Sequence, residues 1–193
     1  MGVTKKKADR RAQRSREMLL DGLVELMSKS GYERLTIQNL LDCTGVGRAT
    51  FYSHFKSKDD LLASSVARLR AGLVKAWKTM PGRRLGFTLP FFKHLASHRR
   101  IYQMTVVRDS EVSVKRHIQH MLRDLVREDL TTLRVSVQAD KSIDLATQYV
   151  SGALWSTIVW WMGSASELSP EEINVLFQRL VFPGLAVTLG HAI

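Results

Sequence analysis

A chain of 193 residues with 29 Lys and Arg against 18 Asp and Glu carries a formal net charge of +11. Its 45% hydrophobic residues are enough for an ordinary core, which excludes a disordered polycation, and one cysteine, Cys43, excludes a disulfide framework or a cysteine-paired zinc site. Residues 1–58 hold 12 Lys and Arg against 6 Asp and Glu, so the first third carries +6 and the rest +5, which suggests an N-terminal module facing a polyanion, either nucleic acid or an anionic membrane surface.

Helical periodicity runs through the chain without sustained alternation, so an all-α protein of roughly nine helices is expected. The charged N-terminus lacks the apolar run of a secretory leader, and Lys6 stands where myristoylation needs Ser or Thr. The first helix spans about 8–30, with Leu19, Leu23, Leu26 and Met27 on one face and Gly31 as its stop. Thr36 caps a short helix carrying Ile37, Leu40 and Leu41 that ends at Thr44-Gly45, and another begins near Gly47 and reaches about His54. Ser57, with Asp60 three residues on, starts a longer helix with Leu62, Val66, Leu69 and Leu73.

Pro81-Gly82 is the clearest break. Beyond it come an aromatic-rich helix around 87–95, which Pro90 can kink, a short helix at 101–107 and an amphipathic helix at 112–135. From Leu145 to Ser166 there are 22 residues without charge, long enough to cross a bilayer, yet interrupted by Thr147, Gln148, Ser151, Ser156, Thr157 and Ser164. A helix at 142–164 buried on most of its surface, inside the protein or between subunits, is favoured over a membrane span, and a subunit-interface helix is the more economical reading. Ser169-Pro170-Glu171-Glu172 starts the last helix, which Pro183-Gly184 should kink or break.

Two short helices joined by a Gly-containing turn behind a longer one describe a helix-turn-helix. Gly45 permits the reversal by adopting positive φ, and Leu40, Leu41, Val46 and Phe51 form a small core. The second short helix then fits a DNA major groove.

The segment from Leu35 to Leu40, followed by Gly45-Val46-Gly47-Arg48-Ala49-Thr50-Phe51-Tyr52-Ser53-His54-Phe55-Lys56-Ser57-Lys58-Asp59-Asp60-Leu61-Leu62, resembles the DNA-binding signature of the tetracycline-repressor (TetR) family of bacterial regulators. The motif resemblance covers about the first 65 residues; the rest resembles the family in length, helical character and helix order, with 152–185 similar to one branch. The resemblance implies a helix-turn-helix domain at 1–58 and a helical ligand-binding and dimerisation domain at 59–193. It implies Gln38 at the groove edge, Gly47, Arg48, Ala49 and Thr50 at the exposed start of the recognition helix, and Tyr52, His54, Lys58 and Thr36 at phosphates. Arg48 has the geometry to pair with guanine, and Ala49 or Thr50 to meet a thymine methyl. Lys5, Lys6, Lys7, Arg10, Arg11 and Arg14 form a basic arm that either adds phosphate contacts or is a solvated tail. Leu41 and Thr44 replace the family's usual alanines, Gly47 its serine cap and Ser53 a larger residue.

The implied function is a cytoplasmic, homodimeric transcription regulator, most often a repressor, that binds a palindromic operator and is released by a small, mainly apolar ligand. The alternative is an adaptor of this fold acting through protein or membrane contacts. Phe87, Phe91, Phe92, Tyr102, Met104, Met121, Tyr149 and Trp155 are candidate cavity residues, although each alone also fits plain core. His94 and His98, and His117 and His120, share helix faces as histidines with pocket-lining or ordinary polar roles; no metal or cofactor is expected. Cys43 reads as a small buried filler. No nucleophile motif or phosphate-binding Gly-rich loop is present, so no enzyme is expected.

Overall fold

The computed structural model describes residues 2–79, 84–107, 111–132 and 139–189 and, within these, the side chains of all but 2–8, 139, 140 and 189. Among the described residues there are nine α-helices and no strand. The first four are α1 (Gly2–Ser30), α2 (Ile37–Thr44), α3 (Arg48–His54) and α4 (Lys58–Lys78). They are followed by α5 (Thr88–Ser97), α6 (Arg99–Tyr102), α7 (Val112–Thr131), α8 (Ala139–Gly163) and α9 (Pro170–Leu189). The break expected at Pro81-Gly82 lies outside the described residues.

Local capping chemistry sets several boundaries. Thr36 accepts from the Asn39 amide at 3.1 Å while Asn39 accepts from the Thr36 amide at 3.1 Å, a reciprocal box that starts α2. Gly45 closes α2 at φ +66, and Gly47 starts α3 in extended geometry without a side-chain bond. Ser57 accepts from the Asp60 amide at 3.1 Å to start α4, and Ser169 and Glu172 cap α9 reciprocally.

Three boundaries differ from the sequence reading. Helix α5 begins at Thr88, which puts Pro90 in the first turn, where its missing N–H has no intrahelical acceptor to lose; no break results. Helix α9 continues through Pro183. The expected helix at 101–107 is instead α6 followed by a π-helical turn, Gln103–Val107. There the Thr105 hydroxyl donates to the Ile101 carbonyl at 2.8 Å, competing for the acceptor a regular α-turn would give the Thr105 amide.

One continuous core joins the helices. In the helix-turn-helix, Leu20, Leu23, Leu40, Val46, Phe51 and Phe55 are buried. Thr44 belongs to the same packing: a Cβ at Gly22 would collide with its methyl, so α1 makes room for the bulkier residue that replaces alanine. Farther along, α5 packs on α9 through Phe92, whose ring meets Trp161 edge-on at 5.6 Å and Phe177 at 6.4 Å. Helix α8 buries Val150, Leu154, Ile158 and Trp161 on one face, while Leu145, Tyr149 and Trp160 are exposed on another. No helix among the described residues is long and apolar enough to cross a membrane.

Candidate functional site

Helices α2 and α3 present Thr36, Gln38, Gly47, Arg48, Ala49 and Tyr52 to solvent, with Thr50 and His54 half-buried. Arg48 donates through Nη2 to Gln38 Oε1 at 2.7 Å, and Gln38 donates through Nε2 to Asp42 Oδ1 at 2.7 Å. This chain bridges the two helices and holds the guanidinium at the start of α3. Tyr52 stands half-exposed against Phe51, their rings edge-on at 5.2 Å. Arg11 and Arg14 of α1 line one groove with Gly47, Thr50 and His54, so part of the basic stripe adjoins α3. The side chains of Lys5, Lys6 and Lys7 lie outside the described residues.

The structure corrects one expectation here, the burial of Cys43, and gives Lys58 partners of its own. Lys58, expected at a phosphate, turns inward: Nζ donates to the carbonyls of Tyr32 at 3.0 Å and Leu35 at 2.9 Å, and lies 4.2 Å from the Tyr32 ring centroid. The ammonium thereby satisfies carbonyls of the α1–α2 turn. Cys43 is exposed, its sulfur 3.9 Å from Glu25 Oε2, because Leu40 and Leu41 occupy the inward face of α2.

Behind this surface, Glu111 at the start of α7 is buried beneath the α1–α2 turn. Its Oε2 accepts from the amides of Tyr32 at 2.9 Å and Glu33 at 3.2 Å. Gly31, at φ +81, leaves room for the carboxylate; a Cβ there would stand 2.5 Å from Oε1. Two turns farther along α7, His117 and Arg116 reach Asp59 of α4 at 3.3 and 3.7 Å. Sequence pattern offered no signal for Glu111, because its partners are backbone amides 78 and 79 residues away.

A half-open cavity of about 560 Å³ lies between α1, α4, α5, α6 and α7. Its apolar wall includes Val24, Met27, Val66, Leu69 and Ile118; Pro90, His94, His98 and Tyr102 line another side. Of the eight expected cavity residues, only Tyr102 lines it. Phe87, Phe91 and Phe92 are fully buried, the last against α8 and α9; Met121 is buried too, Met104 and Trp155 are half-buried, and Tyr149 is exposed. The reason is helical phase: Pro90, His94 and His98 recur every four residues on a stripe beside that of Phe87 and Phe91, while Phe92 faces the far side, toward Trp161 and Phe177. That stripe was visible in the sequence as the His94–His98 pair.

The His94 and His98 rings stack with centroids 4.3 Å apart, while His117 turns to Asp59 and His120 to Asp124. Burial, with His98 adding to it, holds the His94 imidazole down to about 4 from its ordinary 6.5. Among the described residues no cluster of three or more His, Cys, Asp or Glu is arranged to hold a metal ion.

The crossed pair of short helices, with an exposed arginine at the start of the second, defines a helix-turn-helix DNA-binding regulator. Residues 19–64 match the family described as "Bacterial regulatory proteins, tetR family", and residues 85–183 match "Transcriptional regulator C-terminal region". The chain belongs to the TetR family of transcriptional regulators. It is 33% identical over 70 residues to the uncharacterized HTH-type transcriptional regulator YxbF of Bacillus subtilis, a match covering 36% of this chain and 18% of the relative. With the HTH-type transcriptional regulator TcmR of Streptomyces glaucescens it shares 26% identity over 72 residues, covering 37% of this chain and 32% of that one. The chain thus spans at most about a third of the curated relatives it matches. A TetR transcriptional regulator from Streptococcus agalactiae shares the fold, with a TM-score of 0.69 at 20% identity over 92% of this chain and 98% of the other.

Proposed function

We propose that this chain is a dimeric repressor that binds a palindromic operator in the cytoplasm and releases it when a small, mainly apolar molecule enters the cavity. The observation that carries the DNA-binding part is the bridge from Asp42 through Gln38 to Arg48, which presents a guanidinium from the exposed start of α3. Arg48 reads a guanine; Gln38, Gly47, Ala49 and Thr50 complete the base-facing set, while Thr36, Tyr52 and His54 meet phosphates. The division falls after residue 58, with the remaining helices serving ligand and partner.

Dimerisation is supported by two unpartnered apolar stripes. Leu145, Tyr149 and Trp160 are 68, 59 and 54% exposed on α8, and Leu180 and Val187 are 78 and 86% exposed on α9. Exposure on this scale supports an interface on this face, where α8 and α9 from two copies form a four-helix bundle. The two recognition helices then stand about 34–36 Å apart, one turn of DNA. A ligand that swings the operator-competent population from 99:1 to 1:99 must prefer the released state by about 5.5 kcal/mol.

The test is an electrophoretic shift with DNA upstream of the protein's own gene, with the mass of the free protein measured by light scattering. A dimer that prefers this DNA over random duplex is expected. A monomer, or salt-dependent binding equal on both DNAs, would overturn the reading and favour an adaptor of the same fold.

A further inference from the structure

The cavity has a polar end that the protein leaves open. His94 and Tyr102 meet there edge to face, with ring centroids 5.8 Å apart, and both line the space. Among the described residues, neither the Tyr102 hydroxyl nor a His94 ring nitrogen has a hydrogen-bond partner. Of the other polar groups lining the cavity, His98 is held through Nδ1, 2.9 Å from the Ser97 hydroxyl and 3.1 Å from the His94 carbonyl, and Thr105 bonds Ile101, while the Ser65 hydroxyl belongs to α4. The open end therefore offers one phenolic donor and an uncharged imidazole with one donor and one acceptor nitrogen.

Charge at the rim points the same way. Arg68 Nη1 donates to Glu17 Oε2 at 3.0 Å and Asp21 Oδ1 at 2.8 Å, so one guanidinium faces two carboxylates. Among the described residues, Asp21 and Arg68 are the Asp, Glu, Lys or Arg side chains lining the cavity, and with Glu17 this cluster holds two carboxylates against one guanidinium. Among the described lining residues, an anion entering would lose its hydration and meet a guanidinium already paired with two carboxylates, and a cation would meet no carboxylate but Asp21. The volume of about 560 Å³ and the apolar wall suit a molecule of a few fused rings.

We infer that the cavity takes an uncharged, largely apolar molecule carrying a hydroxyl or keto oxygen, and that this oxygen is read by Tyr102 and His94. The inference rests on the ligand-site reading above and specifies its chemistry. The ligand oxygen accepts from the Tyr102 hydroxyl; a hydroxyl ligand also donates to His94. A carboxylate of the same skeleton is rejected.

The test uses the full-length protein and N-phenyl-1-naphthylamine, an uncharged dye whose emission rises in apolar surroundings. Naphthalene, 2-naphthol and 2-naphthoate then compete for it at neutral pH, sharing one ring system and differing in one substituent. The expected order is 2-naphthol ahead of naphthalene, with 2-naphthoate at least about tenfold weaker than 2-naphthol. Tyr102→Phe keeps the ring and should lower 2-naphthol affinity about three- to tenfold while leaving naphthalene unchanged. His94→Gln serves as a second variant, with its own loss for 2-naphthol. Gly72 lines the cavity and has nothing within 4 Å of an added Cβ, so Gly72→Trp places a ring at the site without a backbone clash and should abolish dye binding. Equal or better binding of 2-naphthoate overturns the uncharged class while leaving the cavity reading intact. An unchanged ratio of 2-naphthol to naphthalene in both Tyr102→Phe and His94→Gln overturns the polar end. If the dye fails to bind, or Gly72→Trp leaves its binding unaltered, the cavity reading itself fails and this inference with it.

Discussion

Glu111 and Gly31 form a pair whose coupling can be worked out from the geometry. Glu111 is 4% exposed, and one oxygen accepts two backbone amides. Charge-assisted hydrogen bonds contribute about 1.5–3 kcal/mol each, but Glu33 is exposed and its amide regains water when the carboxylate is removed. Glu111→Ala should therefore cost about 2–4 kcal/mol of folding stability. Gly31→Ala places a side chain at φ +81, which costs about 1–2 kcal/mol by itself, and sets a Cβ 2.5 Å from Oε1, which displaces the carboxylate. The single variant should thus lose about 3–5 kcal/mol. In the double variant no carboxylate remains to displace, so the two losses should fall short of their sum by about 1–3 kcal/mol. Urea denaturation of the four proteins gives the cycle, and hydrogen exchange at the Tyr32 and Glu33 amides gives a local readout. Additivity within about 0.5 kcal/mol would refute the contact as an energetic link. Because Val114 and Ile118 line the cavity one and two turns along α7 from Glu111, this link lies between the cavity and the α1–α2 turn.

Four further outcomes are expected. Arg48→Ala should cost about 1–3 kcal/mol and relax one operator position, measured by titration against single-base operator variants; an unchanged preference removes Arg48 from the base-reading set. Lys58→Met should lower stability by about 1–3 kcal/mol in urea yet leave the slope of log K against log salt as it was; a slope flattened by about 0.9 would return Lys58 to the phosphate-binding set. Replacing Lys5, Lys6 and Lys7 with Gln should flatten that slope by about 0.9 for each phosphate that these lysines neutralise, whereas a constant slope assigns the arm to solvent. For His94 the sign follows from its lowered value: as pH falls below 6.5 the unfolded chain takes up a proton that the folded one refuses until about 4. Its contribution is full above 6.5 and declines across that window, so urea midpoints should fall with pH there, and His94→Gln should lessen the fall.

The sequence made the fold legible wherever its information was local. Thr36, Ser57 and Ser169 marked helix starts because a cap acts within three residues, and Gly45 marked the turn because few residues accept positive φ. The family motif supplied an expected DNA-facing set in the same way, and Thr36, Gln38, Gly47, Arg48, Ala49 and Tyr52 of that set lie exposed. Reading failed where a residue's role depends on distant backbone. Lys58 matched a phosphate position, but whether an ammonium turns outward or toward the Tyr32 and Leu35 carbonyls depends on how α1 and α4 meet. The cavity was missed by one choice of helix face. Aromatic residues drew the eye to Phe91 and Phe92, which the need for burial directs into the core, while the less apolar stripe through His94 faces the space.

The corrected position of Cys43 has a practical consequence. The chain's one thiol lies exposed on α2, within the DNA-facing module and away from the apolar stripes of α8 and α9. The unaltered protein is therefore ready for a single maleimide spin label per subunit. In the proposed dimer, two such labels form a ruler between the modules. Pulsed dipolar spectroscopy would read its length with DNA, with ligand, and with neither, without introducing any mutation.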